Sequence, residues 1–202
     1  MSAIRAAAGT EAVPRRSRLT PERAGELYDA VLDELRESGY DALTMDAVAA
    51  RSHCSKATLY RQWQGKPQLV AAALRHCKPF DLSRLDTGSL SGDLHEVARR
   101  FTGARKDVEL SQVIAPAVHK NPDLAEALRE AVIEPELEML REIVERAVAR
   151  GEMAPDSPTA RYLPHMLVGA VFARPFVERR EADTAYLKHF LDTVVLPVLV
   201  RK

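Results

Sequence analysis

The stretch "TMDAVAARSHCSKATLYRQWQGK", residues 44–66, decides the fold of this chain. Thr44 and Ser55 each precede a short run of helix-forming residues, and both are side chains that cap helix N-termini well. Gly65 marks a break before a third helix that begins at Lys66. Because so few residues separate these three short helices, they must pack closely together. The stretch therefore predicts a helix-turn-helix.

The second of these short helices has two unlike sides. Leu59 and Trp63 lie four residues apart and predict a side that faces the core, while the other side is polar. A helix of eight residues is about 12 Å long, and the major groove of B-DNA is about 12 Å wide. Arg and Lys can donate to guanine, Gln can pair with adenine, and hydroxyl groups can reach phosphates. The polar side therefore predicts contact with DNA.

The distribution of charge favours the same end of the chain. The chain has 29 basic and 29 acidic residues, so no overall positive charge can attract nucleic acid. Residues 1–78 nevertheless carry 12 Lys and Arg against 9 Asp and Glu, and residues 79–202 carry 17 against 20. Residues 44–66 contain a single acid, Asp46, against four bases, which are Arg51, Lys56, Arg61 and Lys66. Nucleic-acid binding is expected at this local positive surface.

Apolar residues recur at spacings of three and four along most of the chain, which predicts an all-α fold of about nine helices. Residues 1–19 are expected to form a flexible basic arm, and the first helix is predicted to be capped by Thr20, to begin at Pro21 and to end at Gly39. Four longer helical segments and one broken segment follow the three short helices. They are predicted at 92–104, 107–119, 122–150 with a break near Pro135, 158–177 and 184–200.

The segment "GYDALTMDAVAARSHCSKATLYRQWQGKPQLVAAAL", residues 39–74, resembles the DNA-binding domain of the TetR family of bacterial transcriptional repressors. The resemblance rests on Gly39 with Tyr40, on Thr44, on Ser55 to Tyr60 and on Lys66. His53 and Cys54 stand where the family usually has Gly-Val, and Trp63 stands where it usually has Phe. His53 must then adopt a turn conformation that glycine takes more easily.

The resemblance implies a role for each matching residue. The side chains expected to face bases are Lys56, Ala57, Arg61 and Gln62. Those expected to hold the DNA backbone are Thr44, Thr58, Tyr60 and Lys66. The implied function is a ligand-responsive repressor that binds a palindromic operator as a homodimer and is released by a small molecule.

The second half of the chain is expected to dimerise and bind the ligand. The helices at 158–177 and 184–200 are more apolar than surface helices and predict a subunit interface. We expect a DNA-binding domain at 20–79 and a ligand-binding and dimerisation domain at 80–202. The resemblance implies a ligand cavity, and plain core packing remains the alternative for each candidate lining residue. These candidates are Phe101, His119, Met139, His165 and Met166.

Other classes of function receive little support from the sequence. No nucleotide-binding, hydrolase or paired-carboxylate motif is present, so we expect neither an enzyme nor a cofactor or metal site. The lack of a signal peptide and of a long apolar run favours a cytoplasmic protein without membrane contact. Two alternatives remain open: a helical adaptor that does not bind DNA, and a redox-responsive regulator that uses Cys54 or Cys77.

Overall fold

The structure is a computed structural model that describes residues 19–76, 85–102 and 106–200. Within these ranges every regular element is helical, and the predicted all-α class is confirmed. The described elements form nine helices when two pairs that run on through a wide turn are each counted once. The predicted basic arm, except for Leu19, lies outside the described residues, as do Cys77 and the predicted domain boundary after residue 79.

The first four helices follow the sequence prediction closely. Thr20 caps the first of them, where its hydroxyl accepts a hydrogen bond from the Arg23 backbone N–H. Gly39 interrupts the same helix with φ of 75° and ψ of 171°, and one further turn follows it. A residue with a Cβ would be strained at that φ. The four helices are α1 (Pro21–Ala42), α2 (Met45–Arg51), α3 (Lys56–Trp63) and α4 (Lys66–His76).

The remaining helices begin and end close to their predicted positions. They are α5 (Leu90–Thr102), α6 (Lys106–Lys120), α7 (Pro122–Leu128), α8 (Glu134–Ala149), α9 (Leu163–Glu178), α10 (Thr184–Phe190) and α11 (Leu196–Leu199). A 3-10 turn at Ala160–Tyr162 precedes α9.

The break predicted near Pro135 takes a different form from the one expected. A π-helical turn at Arg129–Ile133 joins α7 to α8 without interruption, and a second π turn at Leu191–Val195 joins α10 to α11 ahead of Pro197. Proline has no N–H, and its ring clashes with the carbonyl four residues earlier in an α-helix. A wider turn before each proline relieves that clash, so the helix runs on.

Two clusters of buried apolar side chains hold the helices together. The first cluster joins α1, α2, α3 and α4, and it also takes in Leu110 and Ala117 from α6 and Leu124 from α7. The second cluster joins α5, α8, α9, α10 and α11 around Leu94, Ile143 and Leu163. Through α1 and α4, the helix-turn-helix is therefore joined to two helices from the second half of the chain.

A buried carboxylate ties the start of α5 to the end of α8. Asp93 is fully buried and accepts hydrogen bonds from the backbone N–H and the hydroxyl of Thr87, at 2.6 and 2.8 Å. Its other oxygen lies 3.5 Å from the Arg146 guanidinium and 3.7 Å from that of Arg150.

No helix in the described part of the chain is long and apolar enough to cross a membrane.

Candidate DNA-binding site

The α3 helix presents one polar side to solvent because its other side is fixed in the core. Leu59 is completely buried and Trp63 is 6% exposed, where its ring packs edge-on against Tyr28 with ring centroids 5.8 Å apart. The predicted inward side is confirmed. The outward side is exposed at five predicted DNA-contacting positions, which are Lys56, Ala57, Tyr60, Arg61 and Gln62.

Of the hydroxyl groups assigned to the DNA backbone, that of Thr44 is a helix cap and that of Thr58 lies beside one. The Thr44 hydroxyl accepts a hydrogen bond from the Ala47 N–H at 3.1 Å and so begins α2. The Ser55 hydroxyl does the same for α3 through the Thr58 N–H, also at 3.1 Å, and lies 2.8 Å from the Thr58 hydroxyl. Both predicted caps are confirmed, while the phosphate contacts of Thr44 and Thr58 stay predictions.

The turn between α2 and α3 is held from outside by α1. His53 has φ of 50°, in the left-handed region, as expected for the residue that replaces a glycine here. The Arg23 guanidinium donates to the carbonyl oxygens of Ser52, at 2.9 Å, and His53, at 3.3 Å. Arg23 thereby satisfies carbonyls at the end of α2 that have no partner within the helix.

Sequence reasoning did not find Arg23. The residue lies 29 positions before Ser52, in the first turn of a different helix. Nothing in its local sequence indicates a contact at that separation, because a basic residue at a helix start is ordinarily solvated. Only the packing of α1 against α2 brings the guanidinium to the turn.

Two of the four basic residues in this stretch are ion-paired. The Lys56 ammonium lies 2.7 Å from the Asp46 carboxylate, and this carboxylate raises the pKa of Lys56 by accepting its hydrogen bond. Arg51 pairs with Glu37 and lies 3.3 Å from Glu34, both on α1. Arg51 therefore fastens α2 to α1, whereas Lys56 pairs across the helix-turn-helix itself.

Lys66 also has an intramolecular role that the sequence did not indicate. Its ammonium donates to the Tyr40 carbonyl at 2.9 Å and lies 4.3 Å from the centre of the Tyr40 ring. These contacts join the start of α4 to the last turn of α1. The phosphate contact assigned to Lys66 stays a prediction, and any such contact must use donors that the carbonyl leaves available.

The five candidate ligand-binding residues fall into two groups. Phe101, Met139 and Met166 are partly buried and pack against the second core cluster. His119 and His165 are exposed: His119 lies 3.1 Å from the carbonyl oxygen of Ala115 in its own helix, and the His165 ring packs near that of Tyr162. The structure brings three of the five to one cluster and leaves the two histidines at the surface.

Cys54 is partly buried and packs against the first core cluster. The second cysteine of the redox alternative, Cys77, lies outside the described residues. The redox role of either thiol stays a prediction.

Two capped helices joined by a tight turn, with the second exposing a polar side, define the class of helix-turn-helix DNA-binding proteins. Residues 27–73 match the family model described as "Bacterial regulatory proteins, tetR family", and residues 84–194 match "Tetracyclin repressor-like, C-terminal domain". The chain belongs to the TetR family of DNA-binding transcriptional regulators. The prediction of a regulator and not an enzyme is confirmed by this membership.

Known relatives match along most of the chain. The DNA-binding transcriptional repressor TetR of Mycobacteroides abscessus is 34% identical over 184 residues, which cover 89% of this chain and 94% of the relative. Among solved structures, the TetR family transcription regulator SCO0332 is 27% identical with a TM-score of 0.64, covering 89% of this chain and all of that one. The flavonoid-responsive regulator FrrA has the same fold at a TM-score of 0.65 and 24% identity, covering 89% and 96%.

Proposed function

We propose that this protein represses transcription by binding a two-fold symmetric operator as a homodimer, and that a small molecule releases it. The single observation that carries the proposal is the outward side of α3, where Arg61 and Gln62 are exposed on a helix that Leu59 and Trp63 hold rigidly. In this proposal Lys56, Ala57, Arg61 and Gln62 face bases in the major groove. The cytoplasm, where bacterial DNA lies, is the proposed site of action.

A second copy of the chain is the proposed occupant of an apolar surface on α9 and α11. On α9, Val168, Phe172 and Phe176 recur at helical spacing and are 53%, 46% and 83% exposed. Val194, in the π turn before α11, and Val198, on α11, are each 40% exposed. Exposed apolar residues grouped along a helix mark an interface, and two-fold pairing of one surface with itself is the commonest solution. A dimer also supplies two copies of α3, here called the reading helices, and a symmetric operator requires both.

The second core cluster is the proposed place of the effector site. Phe101, Met139 and Met166 each pack against that cluster, and aromatic and Met side chains suit an adaptable apolar site. We therefore assign DNA binding to residues 20–79, and effector binding and dimerisation to residues 80–202. Effector binding releases DNA if the effector favours a spacing of the two reading helices that does not fit the operator.

Selection of duplexes from a random-sequence library tests DNA reading directly. The unaltered protein should enrich a two-fold symmetric sequence, here called the selected duplex. Arg61→Ala should lose about 1–3 kcal/mol per subunit of discrimination between the selected duplex and a scrambled duplex of the same composition, because each subunit loses one base contact. Binding is measured by fluorescence anisotropy, with oligomeric state followed by sedimentation.

Arg141→Ala is the matched control, because Arg141 is an exposed arginine on α8 that pairs with Glu138 at 2.5 Å. This variant should discriminate between the two duplexes as well as the unaltered protein does. Equal discrimination by Arg61→Ala and the unaltered protein would contradict the role given to Arg61. A library from which no sequence is enriched would contradict operator binding itself.

A further inference from the structure

A single acidic side chain lies among the proposed DNA-contacting residues. Asp46 is in the first turn of α2, and its Oδ1 lies 2.7 Å from the Nζ of Lys56, the first residue of α3. Both side chains remain largely exposed, Asp46 at 69% and Lys56 at 54%. The pair therefore lies on the surface that would meet DNA, and it is not part of the core.

A carboxylate in this position is unfavourable for simple attraction to DNA. It cancels one of the few positive charges on the surface and would repel the phosphates that approach it. It contributes only modestly to the fold, because its place in the first turn of α2 and its exposed ion pair are each worth about 1 kcal/mol or less. Attraction to DNA does not account for Asp46 and stability does so only in small part, which directs attention to its effect on Lys56.

A lysine ammonium is a compact charge on a flexible stem, and it can reach a phosphate on DNA of any sequence. A hydrogen bond to Asp46 holds that ammonium beside the start of α3 and uses one of its three donors. The two remaining donors can still meet a guanine edge in the major groove. The carboxylate thus restricts where the ammonium can go without removing its capacity to read a base.

We propose that Asp46 is a specificity-determining positioning residue that keeps Lys56 directed at base edges and withholds it from phosphates. The proposal rests on the DNA-reading function proposed above for α3. On a matching sequence the Lys56 and Asp46 pair is retained and Lys56 contacts a base. On a sequence that places no well-oriented base acceptor opposite Lys56, Asp46 opposes transfer of the ammonium to the sugar-phosphate backbone.

Asp46→Asn should free Lys56 to bind phosphates. Affinity for the scrambled duplex should rise by roughly threefold or more at low salt, because each subunit gains a phosphate contact. Affinity for the selected duplex should change less, so the ratio of the two affinities falls. The slope of log affinity against log salt for the scrambled duplex should also steepen by about one per subunit.

Three further variants separate positioning from a general change in charge. Asp46→Glu keeps a carboxylate within reach of Lys56, so the ratio of affinities for the selected and scrambled duplexes should equal that of the unaltered protein. Asp41→Asn removes an exposed acid that precedes α2, and it should change both affinities by the same factor. In a Lys56→Ala background, Asp46→Asn should leave the ratio unchanged, because the side chain on which it acts is absent.

Equal changes in both affinities on Asp46→Asn would overturn the inference, as would a fall in the ratio that persists without Lys56. Either result leaves DNA reading by α3 intact, provided that the unaltered protein prefers its selected duplex. An unaltered protein that binds the selected and scrambled duplexes alike would instead overturn the proposed function, and this inference with it.

Discussion

Lys66 combines a structural contact with a proposed DNA contact. Its hydrogen bond to the Tyr40 carbonyl and its position over the Tyr40 ring tie α4 to the last turn of α1. A hydrogen bond from a charged donor contributes about 1.5–3 kcal/mol, and a cation over an aromatic ring adds about 0.5–2 kcal/mol. The side chain therefore stabilises the helix-turn-helix before any DNA is present.

Lys66→Ala should lower the free energy of unfolding by about 1–3 kcal/mol in the absence of DNA. If a phosphate contact is also lost, binding should weaken on all sequences alike, and the salt slope should become shallower by about one per subunit. Urea unfolding and anisotropy titrations over a range of salt concentrations measure the two effects. Lys56→Ala is the control for stability, since the pair of Lys56 with Asp46 is exposed. A slope unchanged by Lys66→Ala would leave Lys66 with a structural role alone.

Single residues also mark the limit of what this sequence predicts. The caps by Thr44 and Ser55 could be predicted because each side chain bonds to an N–H three residues later. The contacts of Arg23 and Lys66 could not, because their partners are 29 and 26 residues away. Local chemistry identifies the reading helix, whereas the residues that hold it in place depend on how the helices pack.

Whole helices were predicted well wherever apolar spacing and caps agree, as they do for α2 and α3. The two π turns were not predicted, because a proline in a helical pattern is equally consistent with a break and with a wider turn. Packing decides between the two. Val132 and Leu191 in these turns are buried, and a break at either position would expose them.

The junction between α5 and α8 depends on the buried Asp93. Asp93→Asn should cost about 1–3 kcal/mol of stability, because the guanidinium groups of Arg146 and Arg150 lose a charged partner. Asp86→Asn is a matched control, since Asp86 lies near the same two arginines but is 55% exposed. That change should cost less than about 1 kcal/mol. Urea unfolding followed by circular dichroism measures both, and equal losses would contradict the role given to burial.

Assembly of two chains depends on the apolar surface of α9 and α11. Val168→Asp or Val194→Asp should prevent dimerisation, because an unpaired charge would be buried between subunits. Both positions are exposed in the single chain, so the monomer should remain helical. Binding to the selected duplex should fail together with the dimer. Sedimentation, circular dichroism and anisotropy measure the three outcomes.

Ile133→Asp is the control for this surface, because Ile133 is also an exposed apolar residue, at 43%, but lies in the turn between α7 and α8. It should leave dimer and DNA binding unchanged. Val168→Asp and Val194→Asp variants that remain dimeric would place the interface elsewhere. The sequence predicted that α9 is too apolar for a surface helix, but only packing within the chain determines which of its sides stays uncovered.

The inclusion of α6 and α7 in the first core cluster limits how this protein can be recombined with others. A chimera that grafts residues 20–79 onto an unrelated sensor would leave behind Leu110, Ala117 and Leu124, and so expose the apolar side chains that they cover. Residues 20–79 therefore cannot be transferred by themselves as a DNA-binding domain. A chimera that folds would include α6 and α7 together with residues 20–79, or would take these two helices from a relative whose α1 and α4 present a matching surface.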